Sequence, residues 1–186
     1  MPTSAWASQD IGAVQNVGAS SYSNAIATLD DSGAGSGGSA DQFRYTYLSA
    51  SGTCDITACV TAVSNTDPAA QAGVMIRESL AAGATNAAVF VTPASGIVFS
   101  SRSATNGPTA STTPAATAAL SAPYWVRIVR GGNTFTAKYS PDGKSWTTLA
   151  TQTIPMATNV YIGLALSSHN PASLAAASFA NLTADP

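Results

Sequence analysis

Few side chains in this sequence could do chemistry, and their spacing argues against catalysis. There is one glutamate, Glu78. Hydrolysis of a glycosidic bond usually takes two carboxyl groups flanking that bond. No aspartate stands two to four residues from Glu78, and the strand-borne pattern Glu-x-Asp-x-x-Glu is absent. The one histidine, His169, sits in Ser167-Ser168-His169-Asn170-Pro171, beside a turn-forming Asn-Pro, and reads as a loop residue. One histidine with so little cysteine and glutamate in support does not build a zinc site. A Ser–His–Asp triad meets only in space and stays open, but there is no Gly-x-Ser-x-Gly elbow. The two cysteines, Cys54 and Cys59, lie five apart in strand-like sequence. That separation is about 16 Å, on opposite faces. A disulfide needs Cα atoms within about 7 Å, so two free thiols acting as small hydrophobes are expected.

What remains is binding. The arginines are informative because charge is so scarce. Arg77, Arg102, Arg127 and Arg130 all occur in strand-like sequence, Arg127 between two apolar neighbours. Val126 and Ile128 point one way along their strand and Arg127 the other. In the same manner Met75 and Arg77 share one face, and Val74, Ile76 and Glu78 the other. A concave face carrying Arg77 and Arg127, with Arg102 beside them, would offer guanidinium forks to a uronate or to pairs of hydroxyls. The alternative is structural pairing along strand ends. Tyr45, Tyr47 and Tyr139 are candidates for a groove wall, because sugars stack on aromatic faces. Trp146 follows a hairpin and either caps the core or stacks a ligand. Trp125, Phe99 and Tyr161 read as core, and Trp6 as a closure of the molecule near its end. Asp30, Asp31 and Asp41 flank a Gly-rich stretch and supply oxygen ligands for a structural calcium ion, with Asp10 able to join. No EF-hand spacing is present, and adjacent aspartates at a strand end also serve as turn formers. No other cofactor is expected.

The elements that must position these residues are strands. No helical periodicity persists over eleven residues. Segments of β type recur near 22–30, 42–49, 54–63, 71–79, 86–93, 96–103, 124–131, 133–140, 145–153, 159–167 and 174–183, bounded by Gly, Pro, Asn, Asp and Ser. Alternation is clearest for Phe43, Tyr45 and Tyr47, for Ile56, Ala58, Val60 and Ala62, and for Val160, Ile162, Leu164 and Leu166. Arg130-Gly131-Gly132-Asn133 and Ser140-Pro141-Asp142-Gly143-Lys144-Ser145-Trp146 read as hairpins. The stretches 31–40 and 104–122 read as long loops, and 1–8 as a terminal extension. The whole, 1–186, reads as one all-β domain, a sandwich or barrel.

Composition narrows the setting. Hydrophobic residues make up 45% of the chain and charged ones 9%, against roughly 25% in an average globular protein. A surface of hydroxyls and small side chains suits an extracellular or cell-surface module. The seven Lys and Arg are scattered and the net charge is −2, so no basic stripe exists to meet nucleic acid. No apolar run approaches the roughly 20 residues that span a bilayer, so membrane insertion is not expected. Met1-Pro2-Thr3-Ser4 has neither a basic nor an apolar leader region. The chain therefore reads as a piece of a longer secreted protein, joined to other domains.

Several phrases occur together in one order: Asp10-Ile11-Gly12, Asp41-Gln42-Phe43-Arg44-Tyr45, Ala72-Gly73-Val74-Met75-Ile76-Arg77-Glu78, Ala122-Pro123-Tyr124-Trp125-Val126-Arg127, Tyr139-Ser140-Pro141-Asp142-Gly143-Lys144-Ser145-Trp146 and Tyr161-Ile162-Gly163-Leu164-Ala165. In these the chain resembles the concanavalin A-like (laminin G-like) jelly-roll modules appended to secreted bacterial proteins, many of them polysaccharide-degrading enzymes. The resemblance covers nearly the whole chain. It implies an antiparallel jelly-roll sandwich with one concave sheet and a non-catalytic role, and it names no ligand. Two departures stand out. The chain ends in Phe179-Ala180-Asn181-Leu182 where such modules often have Phe-Asp-Asn-Val, which weakens a calcium site on the terminal strands. Cys59 stands where a basic residue is usual. The expected function is binding of a polysaccharide or glycoconjugate, with a spacer or adhesion module as the alternative and a glycan-active hydrolase or lyase as the least favoured.

Overall fold

The computed structural model describes residues 6–186. Residues 1–5 of the expected terminal extension lie outside the described residues. The strands are β1 (Ala7–Ile11), β2 (Ala19–Ser23), β3 (Ile26–Asp31), β4 (Phe43–Ser51), β5 (Cys54–Val63), β6 (Gln71–Arg77), β7 (Asn86–Val91), β8 (Ile97–Arg102), β9 (Ala110–Thr112), β10 (Tyr124–Gly131), β11 (Thr134–Ser140), β12 (Thr147–Thr153), β13 (Asn159–Ser167) and β14 (Ala175–Asp185). They form two antiparallel sheets of seven strands. The first has the order β1-β4-β13-β6-β7-β8-β9 and the second β12-β11-β10-β5-β14-β3-β2. The expected two-sheet jelly roll is what the chain forms.

The strand reading matches closely, with three corrections. Residues 22–30 are two strands, because Asn24 and Ala25 take positive φ (51° and 63°) and fold β2 back on β3. The strand β1 already includes Ala7 and Ser8, which the sequence places in a terminal extension. A short edge strand, β9, lies inside the expected loop 104–122. Both overlooked strands lack a hydrophobic alternation, and all three residues of β9 are exposed, so no periodicity marks them. The hairpin between β10 and β11 turns on Gly132-Asn133, one residue later than expected, with Gly132 at φ 61°.

The main core lies between the sheets. Val74, Ile76, Val89, Ile162 and Leu164 of the first sheet face Ile56, Val60, Val126, Ile128 and Phe179 of the second. The alternating faces that the sequence marks on β5 and β13 contribute to it, as Phe99 does, except that Ala62 is exposed: a register shift against β14 beyond Val60 brings Val63 to the core in its place. A second, smaller core lies on the outer face of the first sheet. It holds Ile11, Phe43, Tyr45, Met75, Ala88, Phe90 and Ala165, with Leu80 and Ala82 packed on top. Central strands are thus covered on both sides, which is why all six residues of β7 are buried and read as a continuous run. Gly73 reflects the same crowding: a Cβ there would run into the Val89 carbonyl and the Phe90 backbone. Cys54 and Cys59 are both buried and unpaired, as expected from their spacing, and burial pushes both thiols up from their ordinary pKa.

Candidate functional site

The expected arginine face divides in two. Arg77 is on β6 of the first sheet and Arg127 on β10 of the second, and both point outward, so they look away from each other. Alternation tells inward from outward correctly but does not say which sheet each strand joins.

Arg77 and Arg102 are not presented to a ligand at all. Both side chains, and that of Asp41, are 0% exposed. Arg102 grips Asp41 with both terminal nitrogens: Nη2 donates to Oδ1 at 2.6 Å and Nη1 to Oδ2 at 3.0 Å. Arg77 Nη1 donates to the same Oδ2 at 3.1 Å. The other bonds of the two arginines go to backbone carbonyls, including those of Ser79, Ala81, Ala82 and Ala84, and to the Thr109 hydroxyl, 2.9 Å from Arg102 Nη2. The Arg77 guanidinium also lies 5.2 Å from the centre of the Phe43 ring. Burial pulls the Arg77 pKa down, and Asp41 opposes that pull. This triad knits segment 78–85 over the outer face of the first sheet, so the middle of that face is a core.

The same packing takes Tyr45 out of the expected groove wall. Tyr45 is fully buried, its hydroxyl donating to the carbonyls of Met75 (3.0 Å) and Tyr161 (3.1 Å). Burial drives its pKa far above the ordinary phenol value. Tyr139 faces the main core beside Tyr124, with ring centres 6.2 Å apart.

The expected calcium ligands are likewise dispersed. Asp41 is committed to two guanidinium groups. Asp30 and Asp31 are neighbours on β3 and therefore point to opposite faces. Asp31 is buried; its Oδ2 accepts from the N–H groups of Gly33 and Ser168, and its Oδ1 has no partner. Asp10 is held by Arg44 at 3.1 Å. Among the described residues no group of three or more His, Cys, Asp and Glu is placed to hold a metal ion, and Asp30, Asp31 and Asp41 are not brought together as one such group.

An open groove of about 600 Å³ does remain at one end of the first sheet. Register builds it. Tyr161 of β13 stands between Ser49 of β4 and Arg77 of β6, and Asn159 stands opposite Ser51. Glu78 follows immediately after β6. Tyr161, Asn159, Glu78, Ser49 and Ser51 all line the groove. Tyr161 meets Tyr47 edge to face at 5.3 Å, and Tyr47 stacks on Tyr45 at 5.2 Å, so the exposed end of an aromatic row rests on the small core. Burial raises the Tyr47 pKa, with Tyr161 adding to it. Glu78 Oε1 accepts the Ala157 N–H at 2.8 Å, and Asn159 Oδ1 accepts from the Ser51 hydroxyl at 3.0 Å. The groove thus carries one aromatic wall and fixed donors and acceptors. The sequence reading leaves Tyr161 in the core; the parity that puts Val160 and Ile162 inward puts Tyr161 outward, half-buried against the small core.

The other two candidates, Arg127 and Trp146, come together on the outer face of the second sheet, and Trp125 joins them there instead of entering the core.

No family model matches the sequence, and no curated protein matches it. Solved structures do match in shape. The carbohydrate binding module CBM66 from Bacillus subtilis superposes with a TM-score of 0.61 at 15% identity, over 98% of this chain and 96% of that one. An alginate lyase from Klebsiella pneumoniae gives 0.61 at 13% identity, over 100% and 96%. Lectin I-B4 from Griffonia simplicifolia gives 0.56 at 9% identity, over 100% and 95%. These neighbours include binding proteins and an enzyme, so they share an architecture more than an activity. With its two seven-stranded antiparallel sheets, the chain has the concanavalin A-like, lectin-like jelly-roll fold.

Proposed function

We propose that the chain is a non-catalytic carbohydrate-binding module of a secreted or cell-surface protein, and that the Tyr161 groove takes part of a polysaccharide. The observation that carries this is the groove itself. An aromatic ring backed by a packed tyrosine row stands beside fixed polar groups, the pairing that sugars require. Two structural neighbours, a carbohydrate binding module and a lectin, support binding of this kind. Of the groups lining the groove, Glu78 alone has a side-chain carboxylate. The pair that glycoside hydrolysis uses has no second member there. Asp41 is sealed by arginines, and Asp142 caps a hairpin of the other sheet. The reading needs no metal. Single-site affinity is expected to be weak, with avidity supplied by other modules of the same protein.

The spacer alternative is favoured by one observation: the middle of the first sheet's outer face is filled by segment 78–85 and the Arg77–Asp41–Arg102 triad. The deciding experiment is calorimetric titration of a polysaccharide and oligosaccharide panel against the chain and against Tyr161→Ala and Asn159→Ala variants of native thermal stability. Selective binding weakened roughly tenfold by Tyr161→Ala is the expected result. Absence of binding across plant, bacterial and host glycans overturns it in favour of the spacer.

A further inference from the structure

The outer face of the second sheet meets solvent, and half-buried Lys138 and exposed Thr183 suit that. Trp125 and Trp146 do not: an indole costs free energy in water unless something covers it. Trp125 is directed outward because Val126 and Ile128 fill the core. It lies against the hairpin joining β11 and β12. A Cβ on Gly143 would sit 2.7–2.9 Å from its indole carbons, so only glycine, at φ 71°, lets the ring lie so close. Trp146 comes off the far leg of the same hairpin. Between the two rings and β14 lies a hollow of about 440 Å³.

Two further features show a built site. Register shifts in β14 between Ala180 and Thr183 form a bulge, in which Asn181 takes φ 52° and lines the hollow. Bulges re-aim side chains and recur beside binding sites. Arg127 is held by Asp55, Nη2 donating to Oδ2 at 2.7 Å, with the two side chains 34% and 23% exposed. Its Nε is buried without an acceptor, and its Nη1 makes no hydrogen bond among the described residues.

We propose that this hollow is a second carbohydrate subsite, on the face opposite the Tyr161 groove, and that it takes a neutral pyranose residue. The indoles supply stacking surface. Arg127 and Asp55 place a donor beside an acceptor, and two adjacent sugar hydroxyls, each both donor and acceptor, complement that pair. A uronate complements it poorly, because its carboxylate would approach Asp55 as well as Arg127. Sites on opposite faces let one module bridge two glycan chains.

The test uses Tyr161→Ala as background, so that it stands apart from the first groove. Neutral gluco- and xylo-oligosaccharides and a galacturonate oligomer are titrated while tryptophan emission and heat are recorded. A neutral oligosaccharide is expected to shift the emission, and both Trp146→Ala and Asp55→Asn to weaken its binding roughly tenfold. Should Trp146→Ala fail to fold, the isosteric Asp55→Asn decides. No response to any neutral sugar, unchanged binding in Asp55→Asn, or tighter binding of the galacturonate overturns the proposal.

Discussion

Asp31→Asn is the substitution whose effect can be worked out furthest. Asp31 is completely buried, and burial, opposed by the Gly33 and Ser168 N–H groups and aided by Asp10, pushes its carboxyl up from 3.8 to about 6. Between those two values the folded chain holds a proton that the unfolded chain has lost. Stability from this group is therefore fully present below about pH 4 and is lost as pH rises through about 6. Two pKa units at about 1.4 kcal/mol each give a loss of about 3 kcal/mol at neutral pH. In the Asp31→Asn variant the new amide oxygen can keep both N–H donors, and the amide NH₂ takes the place of the unpartnered Oδ1. A donor without an acceptor costs about 1–3 kcal/mol, but that cost does not vary with pH. The slope is therefore the test. In urea unfolding across this window with EDTA present, the parent chain is expected to lose about 3 kcal/mol relative to Asp31→Asn. Parallel profiles would refute the reasoning. So would calcium restoring the parent alone above pH 6, since that result would make Asp31 a metal ligand.

Three further outcomes are expected. Asp41→Asn leaves two buried guanidinium groups without their counter-charge and should cost about 3–5 kcal/mol by urea unfolding; a loss below about 1 kcal/mol would show that the triad is not the clamp described. Tyr45→Phe removes the hydroxyl that bonds the Met75 and Tyr161 carbonyls and should cost about 1–2 kcal/mol, with glycan affinity unchanged because Tyr45 reaches no solvent. The Asp142 carboxyl accepts N–H groups of Ser145 and Lys144 and the Ser140 hydroxyl, which hold it at about 2. Its support of the hairpin is present above the ordinary 3.8 and lost as pH falls through about 2, and NMR titration of the carboxyl carbon should show that midpoint; a midpoint near 3.8 would contradict it.

Inference from the chain alone reaches a long way, because a half-buried strand records its two faces residue by residue. The period of two marks Val160, Ile162, Leu164 and Leu166 as inward and Arg77 and Arg127 as outward, and the structure agrees on each. Turn chemistry locates the Ser140–Trp146 hairpin from Pro141 and Gly143. Spacing alone keeps Cys54 and Cys59 apart. The same parity turns Trp125 and Tyr161 outward once it is applied to them against the pull of their apolarity.

What only tertiary structure decided is what lies above each outward residue. Outward means solvent only where nothing folds over the sheet. Segment 78–85 does fold over, and it takes the candidate binding residues Tyr45, Arg77 and Arg102 into a second buried cluster, with Phe43, around Asp41. That closure depends on an aspartate 36 residues from one arginine and 61 from the other. Whether two outward residues share a sheet is equally non-local. Arg77 and Arg127 face opposite directions because β6 pairs with β13 and β7 while β10 pairs with β5 and β11. Strand alternation is a local property of the backbone, whereas strand partnership and loop closure are set by which surfaces the whole chain must bury.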